Sequence, residues 1–186
     1  THPIGQGYSV NTVQMASIFA TIANDGVRIT PHILKSTTDR SGKVVPAPAP
    51  QRAQVVEPHI AAQLRGMLEG VTNEGGTAET AAIPGYRVAG KTGTAQIAGP
   101  VERKDADGET VTRWEYIDGW VDSSYIGFLP NSERKLVTLI LLHRPSVWGR
   151  YQMAERPETV YSRLMAQVLQ YLAIPPDRPL EPVAQP

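Results

Sequence analysis

The sequence has no cysteine among its 186 residues, which excludes disulfides and thiolate metal sites. Its four histidines lie too far apart for a local metal motif, and we expect no metal and no other cofactor. No apolar run reaches the roughly 20 residues of a membrane span. No charged and then apolar signal segment follows Thr1, so the compartment cannot be read from a targeting sequence.

An excess of charge of one sign is also missing. The 18 basic and 18 acidic residues balance, and no basic stripe interleaved with aromatic residues is present. This pattern argues against nucleic acid or an anionic membrane surface as the main partner, and we expect a smaller ligand. The 41% hydrophobic content is sufficient for one buried core, in one domain or a large piece of one.

Apolar residues at helical spacing predict three helices. The first covers residues 11–25 as a buried helix, with Asn11 as its N-cap and Gly26 as its stop. The second has Pro58 in its first turn, and the third covers residues 158–173. The faces expected to be buried are Met15, Ile18, Phe19 and Ile22, then Ile60, Leu64, Met67, Leu68 and Val71, then Tyr161, Leu164, Met165, Val168 and Leu172.

Extended segments lie between these helices. Residues 27–33 alternate in polarity, and the DRSGK turn at residues 39–43 predicts a hairpin into the next short strand. Further strands are predicted at residues 86–97, 124–129 and 136–143, with a hairpin tip at Asp107-Gly108. The order of elements predicts an α+β fold, an antiparallel sheet with helices packed on it, over residues 1–173, followed by a proline-rich tail at 174–186.

The stretch GYRVAGKT at residues 85–92 fits the phosphate-loop pattern G-x-x-x-x-G-K-[ST]. A phosphate loop must leave a strand and run directly into a helix, whose N-terminus binds the phosphates. Tyr86 and Val88, inside the would-be loop, favour a strand, and Gly93 stands where the helix should begin. We therefore reject nucleotide binding.

The same residues fit a second pattern, because Lys91-Thr92-Gly93 is the K-T-G element that accompanies S-x-x-K and S-D-N in penicillin-binding proteins and β-lactamases. Lys91 would supply positive charge beside a nucleophile, and Thr92 and Thr94 would donate hydroxyl hydrogen bonds to a substrate carboxylate. Gly93 would let a ligand lie close to the backbone. For a lone triplet, an ordinary edge strand with an exposed lysine remains the alternative.

Four separated segments carry a resemblance to a known family. They are GQGYSVNTVQMASIFATIANDG at 5–26, GTA at 76–78, VAGKTGTAQ at 88–96 and SSYIGFLP at 123–130. In this order they closely resemble the C-terminal half of the transpeptidase domain of class B penicillin-binding proteins. The resemblance implies the penicillin-binding protein and β-lactamase-like fold, and a D,D-transpeptidase that cross-links peptidoglycan stem peptides and is acylated by β-lactams. It implies a place at the extracytoplasmic face of the bacterial membrane, with an anchor outside this chain.

The resemblance also implies residue roles. Lys91 resembles the lysine that positions and activates the serine, and Thr92 and Thr94 resemble the carboxylate-binding hydroxyls. The backbone N–H of Thr94 resembles one half of the oxyanion hole, and Gly93 keeps the strand open to substrate. Tyr125, on the neighbouring predicted strand, either walls the ligand pocket or packs in the core. The Gly5-Gln6-Gly7 segment is expected to have a structural role.

Two further patterns mislead. Residues 132–135, SERK, fit S-x-x-K, but they predict a hairpin turn with solvated charges and not a helical turn. Ser9-Val10-Asn11 fits S-x-N, but it lies at a predicted helix N-cap. Both also stand in the wrong order for the family. We therefore expect the nucleophilic serine upstream of Thr1, so that this chain is a C-terminal fragment that is inactive alone.

The expected partners are stem peptides ending in D-Ala-D-Ala, β-lactams, the upstream half of the same protein, and divisome or elongasome proteins. A non-catalytic penicillin-binding sensor or scaffold of the same fold is the alternative function. Two features stay open. His143-Arg144, at the end of a predicted strand, contacts either ligand or solvent, and the charged excursion at residues 98–122 is either a lid or a solvated hairpin.

Overall fold

The structure is a computed structural model that describes residue 7, residues 9–146 and residues 155–178. Within these residues the chain forms helices packed on an antiparallel sheet, which confirms the predicted α+β fold. None of the helices described is long and apolar enough to cross a membrane. The helices are α1 (Thr12–Ala23), α2 (Pro58–Glu69) and α3 (Pro157–Tyr171), and the strands are β1 (Val27–Ile29), β2 (Ser36–Thr38), β3 (Val44–Pro46), β4 (Arg52–Gln54), β5 (Ala89–Lys104), β6 (Thr110–Phe128) and β7 (Val137–His143).

The main sheet has the order β5-β6-β7 and is antiparallel throughout. Successive side chains on a strand point to opposite faces, so Tyr125 and Ile126 of β6 face opposite ways. Tyr125 packs against Tyr161 of α3, whereas Ile126 lies beside α1. The sheet is therefore enclosed by α3 on one face and α1 on the other, with β5 at its edge.

The core is densest on the α3 face, around two tyrosines. The rings of Tyr125 and Tyr161 meet edge to face, with centroids 4.8 Å apart and planes at 67°. Glycines make room for them: a Cβ at Gly90 would lie 2.2 Å from the Tyr125 hydroxyl, and one at Gly127 would lie 2.8 Å from Cζ of Tyr161. The rest of this core consists of Ala78, Ala81, Ile83, Val88, Leu129, Met165, Leu169 and Ile174.

Helix α1 begins and ends where its sequence predicts. The Asn11 side chain accepts from the backbone N–H of Gln14 at 2.8 Å, and the Gln14 side chain accepts from the backbone N–H of Asn11 at 2.9 Å, which completes a capping box. At the other end Asp25 and Gly26 take positive φ angles of 53° and 81°, which stops the helix. The predicted burial was wrong in part, because Ile18 is 51% exposed.

The two other helices differ from their predicted faces in the same way. Ile60 and Met67 of α2 and Leu164 of α3 are exposed, although the helical spacing places them on apolar faces. Leu169, which the predicted face of α3 omitted, is fully buried. Helical periodicity locates an apolar stripe to within about one residue, and the neighbouring elements decide which members of the stripe are covered.

Two small antiparallel pairs flank the sheet. The predicted hairpin forms between β2 and β3, and its turn is held by the Asp39 carboxylate, which accepts from the backbone N–H of Ser41 at 2.8 Å and of Lys43 at 3.0 Å. The strand predicted over residues 27–33 is shorter, since β1 ends at Ile29 and pairs with β4. Pro31 lacks the N–H that would extend the ladder.

Strands β5 and β6 continue past the sheet as a two-stranded ribbon. A register shift between Gln96 and Ala98 marks its base, and the predicted tip is confirmed by Gly108, whose φ is +82°. The Asp105 carboxylate closes the tip by accepting from the backbone N–H groups of Asp107 and Glu109. Most of the charged excursion predicted at residues 98–122 is therefore regular strand.

The beginning of the proline-rich tail packs on the domain. Ile174 is part of the core, and its carbonyl accepts a hydrogen bond of 2.7 Å from the Tyr86 hydroxyl. Asp177 accepts from the backbone N–H of Arg87 at 2.8 Å. These contacts hold the residues directly before β5, and so help to fix the strand that carries the K-T-G triplet. Residues 179–186 of the predicted tail lie outside the described residues.

Candidate active site

A groove of about 280 Å³ runs between the edge of the main sheet and the N-terminal part of α1. All five residues of β5 from 91 to 95 line it, so the structure brings Lys91, Thr92, Gly93 and Thr94 together on one wall. Helix α1 and strands β6 and β7 provide the opposite wall and the floor. These lining residues include Asn11, Thr12, Met15, Phe19, Asp122, Ser124, Ile126, Leu139 and Leu141.

The register of the sheet explains which side chains share the floor. Lys91 pairs with Ile126, Gly93 with Ser124 and Ala95 with Asp122, so these six residues lie on the α1 face. Thr92 and Thr94 alternate with them. They also line the groove, because β5 is the edge strand and the groove opens along its edge.

Lys91 is half-buried, and its ammonium donates to the carbonyl of Thr92 at 2.9 Å. In the part of the chain that the structure describes, no carboxylate pairs with it. A half-buried ammonium that no carboxylate pairs can donate to an anionic ligand, and such charge-assisted hydrogen bonds are the strong ones. Lys91 therefore gives this wall a positive charge that can attract an anion.

Gly93 has a steric reason to be glycine. A Cβ at this position would lie 2.7 Å from the Ser124 hydroxyl, on the face that lines the groove. That hydroxyl also lies 3.4 Å from the Gly93 carbonyl, which it contacts as a donor. The glycine thus leaves room for the Ser124 side chain, and the close approach of a ligand to this strand stays a prediction.

The two threonines and the strand edge add donors. Thr92 is half-buried and Thr94 is exposed, so the Thr94 side chain is open to a ligand. Among the described residues β5 has a strand neighbour on one side only, so its outer edge presents backbone groups that no strand pairs. An extended peptide can add to such an edge. The wall can therefore hold a peptide by its backbone and a carboxylate by hydroxyls and an ammonium.

Sequence reasoning missed a contact between a histidine and a carboxylate at the groove. Nδ1 of His143 lies 2.6 Å from Oδ1 of Asp122, and Asp122 lines the groove. The neighbouring Arg144 instead places its guanidinium 3.4 Å from the ring centroid of Trp120. His143 is exposed yet paired, so neither of the two alternatives for the His143-Arg144 dipeptide describes it fully. The pair joins adjacent strands, and only their register reveals it.

Tyr125 does not lie at the groove. It is 0% exposed and packs on the α3 face, one residue out of phase with the groove-lining Ser124 and Ile126. Burial raises the pKa of both Tyr125 and Tyr161 well above the ordinary tyrosine value, so both remain neutral. Tyr125 therefore packs in the core and does not wall the pocket, because side chains alternate along β6 and this ring points away from α1.

The misleading motifs behave as predicted. Ser132 lies in the turn between β6 and β7 and lines a different pocket, near Ile174 and away from Lys91. Asn11 is the N-cap of α1, as the capping interpretation of Ser9-Val10-Asn11 requires. The residues that follow Lys91 form a strand and not a helix, so the context that a phosphate loop needs is absent there.

Comparison with known families finds a match to the penicillin binding protein transpeptidase domain over residues 1–166. Penicillin-binding protein PbpB of Mycolicibacterium smegmatis is 44% identical over 104 residues, which cover 53% of this chain and 16% of that protein. The probable peptidoglycan D,D-transpeptidase PbpC of Pseudomonas aeruginosa is 31% identical over 173 residues, covering 93% of this chain and 26% of that protein. The chain thus spans well under a third of the length of these relatives.

Solved structures give a similar result. The apo-form of penicillin binding protein 3 from Mycobacterium tuberculosis superposes with a TM-score of 0.77 at 30% identity, over 98% of this chain and 40% of that one. The same protein complexed with aztreonam gives a TM-score of 0.75 and 30% identity, over 100% of this chain and 40% of that one. The predicted fold, like that of penicillin-binding transpeptidase domains, is confirmed.

Proposed function

Because the chain belongs to the penicillin-binding protein transpeptidase family, we propose that it supplies the substrate-binding wall of a serine D,D-transpeptidase that cross-links peptidoglycan stem peptides. One observation carries the proposal. The residues of the K-T-G element stand together on the free edge of β5 and line one groove, with the Lys91 ammonium unpaired by any carboxylate among the described residues.

The proposed chemistry assigns each group a step. A stem peptide adds to the edge of β5, and its terminal carboxylate accepts from the Thr92 and Thr94 hydroxyls near the Lys91 ammonium. A serine from another segment of the domain loses its hydroxyl proton and attacks the penultimate D-alanyl carbonyl. The ester bond forms, the amide bond to the terminal D-alanine breaks, and D-alanine leaves with a proton on its amine. The backbone N–H of Thr94 is one donor to the transient oxyanion.

The second half of the reaction follows from the first. The amine of a neighbouring stem peptide attacks the ester carbonyl and loses a proton, a new amide bond forms, and the serine oxygen leaves with a proton. β-Lactams acylate the same serine because their amide is strained and their carboxylate fits the same wall. The solved complex of the Mycobacterium tuberculosis relative with aztreonam supports the binding of this ligand class.

The proposal also covers the location of the complete protein and its partner proteins. The complete protein would act at the extracytoplasmic face of the membrane, held by an anchor outside this chain, and would work with divisome or elongasome proteins. The names of the relatives, penicillin-binding protein and probable peptidoglycan D,D-transpeptidase, support cell-wall synthesis. A penicillin-binding sensor without turnover is the rival function, and it would form the acyl adduct without transferring a peptide to an amine.

The test measures acylation of the complete protein by a fluorescent penicillin. Thr92→Val and Thr94→Val each remove one hydroxyl of similar shape, and a hydrogen bond to a charged group contributes about 1.5–3 kcal/mol. We therefore expect acylation to slow roughly 10- to 150-fold for each variant. Thr37→Val is the matched control, because Thr37 is an exposed strand residue of the β2–β3 hairpin. Unchanged acylation in both groove variants would contradict the proposal.

A further inference from the structure

One face of the ribbon holds two aromatic rings in the open. Trp114 is 75% exposed and Tyr116 is 59% exposed. Their cross-strand partners are Pro100 and Ala98, and residues that pair across strands share a face. Trp114 and Tyr116 stand at positions i and i+2 of β6, so both rings stand side by side on this surface, which we call the aromatic face.

The opposite face of the ribbon has packing contacts of its own. Arg103 and Glu115 form a salt bridge of 2.7 Å there, and Gly99 lies against Ile117 and Trp120. Large aromatic rings contribute much apolar area when covered, and adjacent exposed ones characterise binding surfaces. Because Trp114 and Tyr116 both leave more than half of their surface uncovered, their exposure points to a ligand.

Polar groups on the same face narrow the class of ligand. Glu102 and Thr112 pair across the strands directly beyond Trp114, which places a carboxylate and a hydroxyl beside the rings. A pyranose ring has an apolar C–H face that stacks on an aromatic ring, while its equatorial hydroxyls and amides reach outward to polar groups. Two adjacent exposed rings with a carboxylate and a hydroxyl at their border therefore match a carbohydrate.

We propose that the aromatic face binds the glycan strand that carries the stem peptides, a β-linked polymer of N-acetylated amino sugars. This inference rests on the proposed transpeptidase function, since it identifies the glycan as a second part of the same substrate. It places the peptide in the groove and the sugar on the ribbon.

Continuity of the strand supports this placement. Strand β5 runs from Lys91 in the groove to Pro100 under the aromatic face, and at about 3.3 Å per residue this path is about 30 Å long. A stem peptide of a few residues extends about 3.5 Å per residue from the groove toward its sugar. Tyr116 pairs with Ala98, which lies four residues or about 13 Å from Thr94 along β5, so a peptide of about four residues brings its sugar to the aromatic face and the next sugar toward Trp114.

The test titrates the chain with a β-1,4-linked tetramer of N-acetylglucosamine, by calorimetry and by the NMR signal of the Trp114 indole. We expect saturable binding and a shifted indole signal. Trp114→Ala and Tyr116→Ala should each weaken binding at least tenfold, and Trp114→Phe should recover most of the loss because it restores a ring. Tyr171→Ala is the matched control, since Tyr171 is an aromatic residue of α3 that is 88% exposed.

Three outcomes separate the inference from the proposed function. If the protein is acylated by penicillin but binds no tetramer, or if Trp114→Ala binds the tetramer as well as the wild type, the glycan site is refuted and the transpeptidase function stands. If the tetramer binds through Trp114 but penicillin never acylates the complete protein, the proposed function fails. If a protein partner covers this face in place of sugar, the tetramer does not bind, and this result also refutes the inference.

Discussion

Replacing Tyr125 by Phe is predicted to stabilise the protein, although it removes a polar group from the centre of the domain. The Tyr125 hydroxyl is fully buried and has no hydrogen-bond partner among the described residues. An unsatisfied buried donor costs about 1–3 kcal/mol, and Phe removes that cost while keeping the ring. The ring contact with Tyr161, at 4.8 Å between centroids, is preserved.

The expected gain is smaller than the full desolvation cost. The hydroxyl fills the space above Gly90, so its loss removes some dispersion contacts. We expect a net stabilisation of about 1 kcal/mol, which corresponds to a rise in Tm of about 2–4 °C for a chain of this size. The assay is thermal and urea unfolding followed by circular dichroism.

Tyr171→Phe is the control, because Tyr171 is exposed and its substitution should change stability by less than about 0.5 kcal/mol. A loss of 1 kcal/mol or more in Tyr125→Phe would refute the reasoning, since it would mean that the hydroxyl has a favourable partner. A change in the affinity of the groove for ligand would equally contradict the placement of Tyr125 in the core.

Three further predictions concern the same structure. Burial raises the pKa of Tyr161 and Tyr125 in the folded state. The free energy of unfolding should therefore be constant below the ordinary tyrosine pKa of about 10 and fall as the pH rises above it. Urea unfolding from pH 8 to 11 should show this fall, and Tyr161→Phe should make the fall with pH less steep. Gly90→Ala should destabilise the protein by about 1–3 kcal/mol, because the new methyl group meets the Tyr125 ring. In Gly93→Ala the methyl group meets a Ser124 hydroxyl that can rotate, so the loss of stability should be smaller. Equal losses in Tm would contradict this. Asn11→Ala should cost about 1 kcal/mol through loss of the cap of α1, and an unchanged Tm would show that the capping box contributes nothing.

Local signals in the sequence predicted local structure well. Asn11 and Gly26 mark the limits of α1, and Asp107-Gly108 marks the tip of the ribbon, because caps and tight turns depend on side chains within a few residues of one another. The K-T-G strand was predicted for the same reason, since Gly93 and the threonines disfavour a helix.

Features that depend on distant contacts were not predicted. The pairing of β1 with β4, the contact between Asp122 and His143 and the face on which Tyr125 lies all follow from the register of the strands. A shift of one residue would move every side chain to the opposite face. Exposure of Ile18 follows from which elements cover α1, and a helical period does not contain that information.

The most direct measurement is the intact mass of two samples after incubation with a fluorescent penicillin, followed by peptide mapping of any adduct. One sample is this chain, near 20.2 kDa, and the other is the complete protein. If the chain supplies the wall of the site and the serine lies elsewhere, the complete protein gains one adduct outside residues 1–186 and the chain alone gains none. An adduct on the isolated chain, at Ser132 or any other serine, would contradict this.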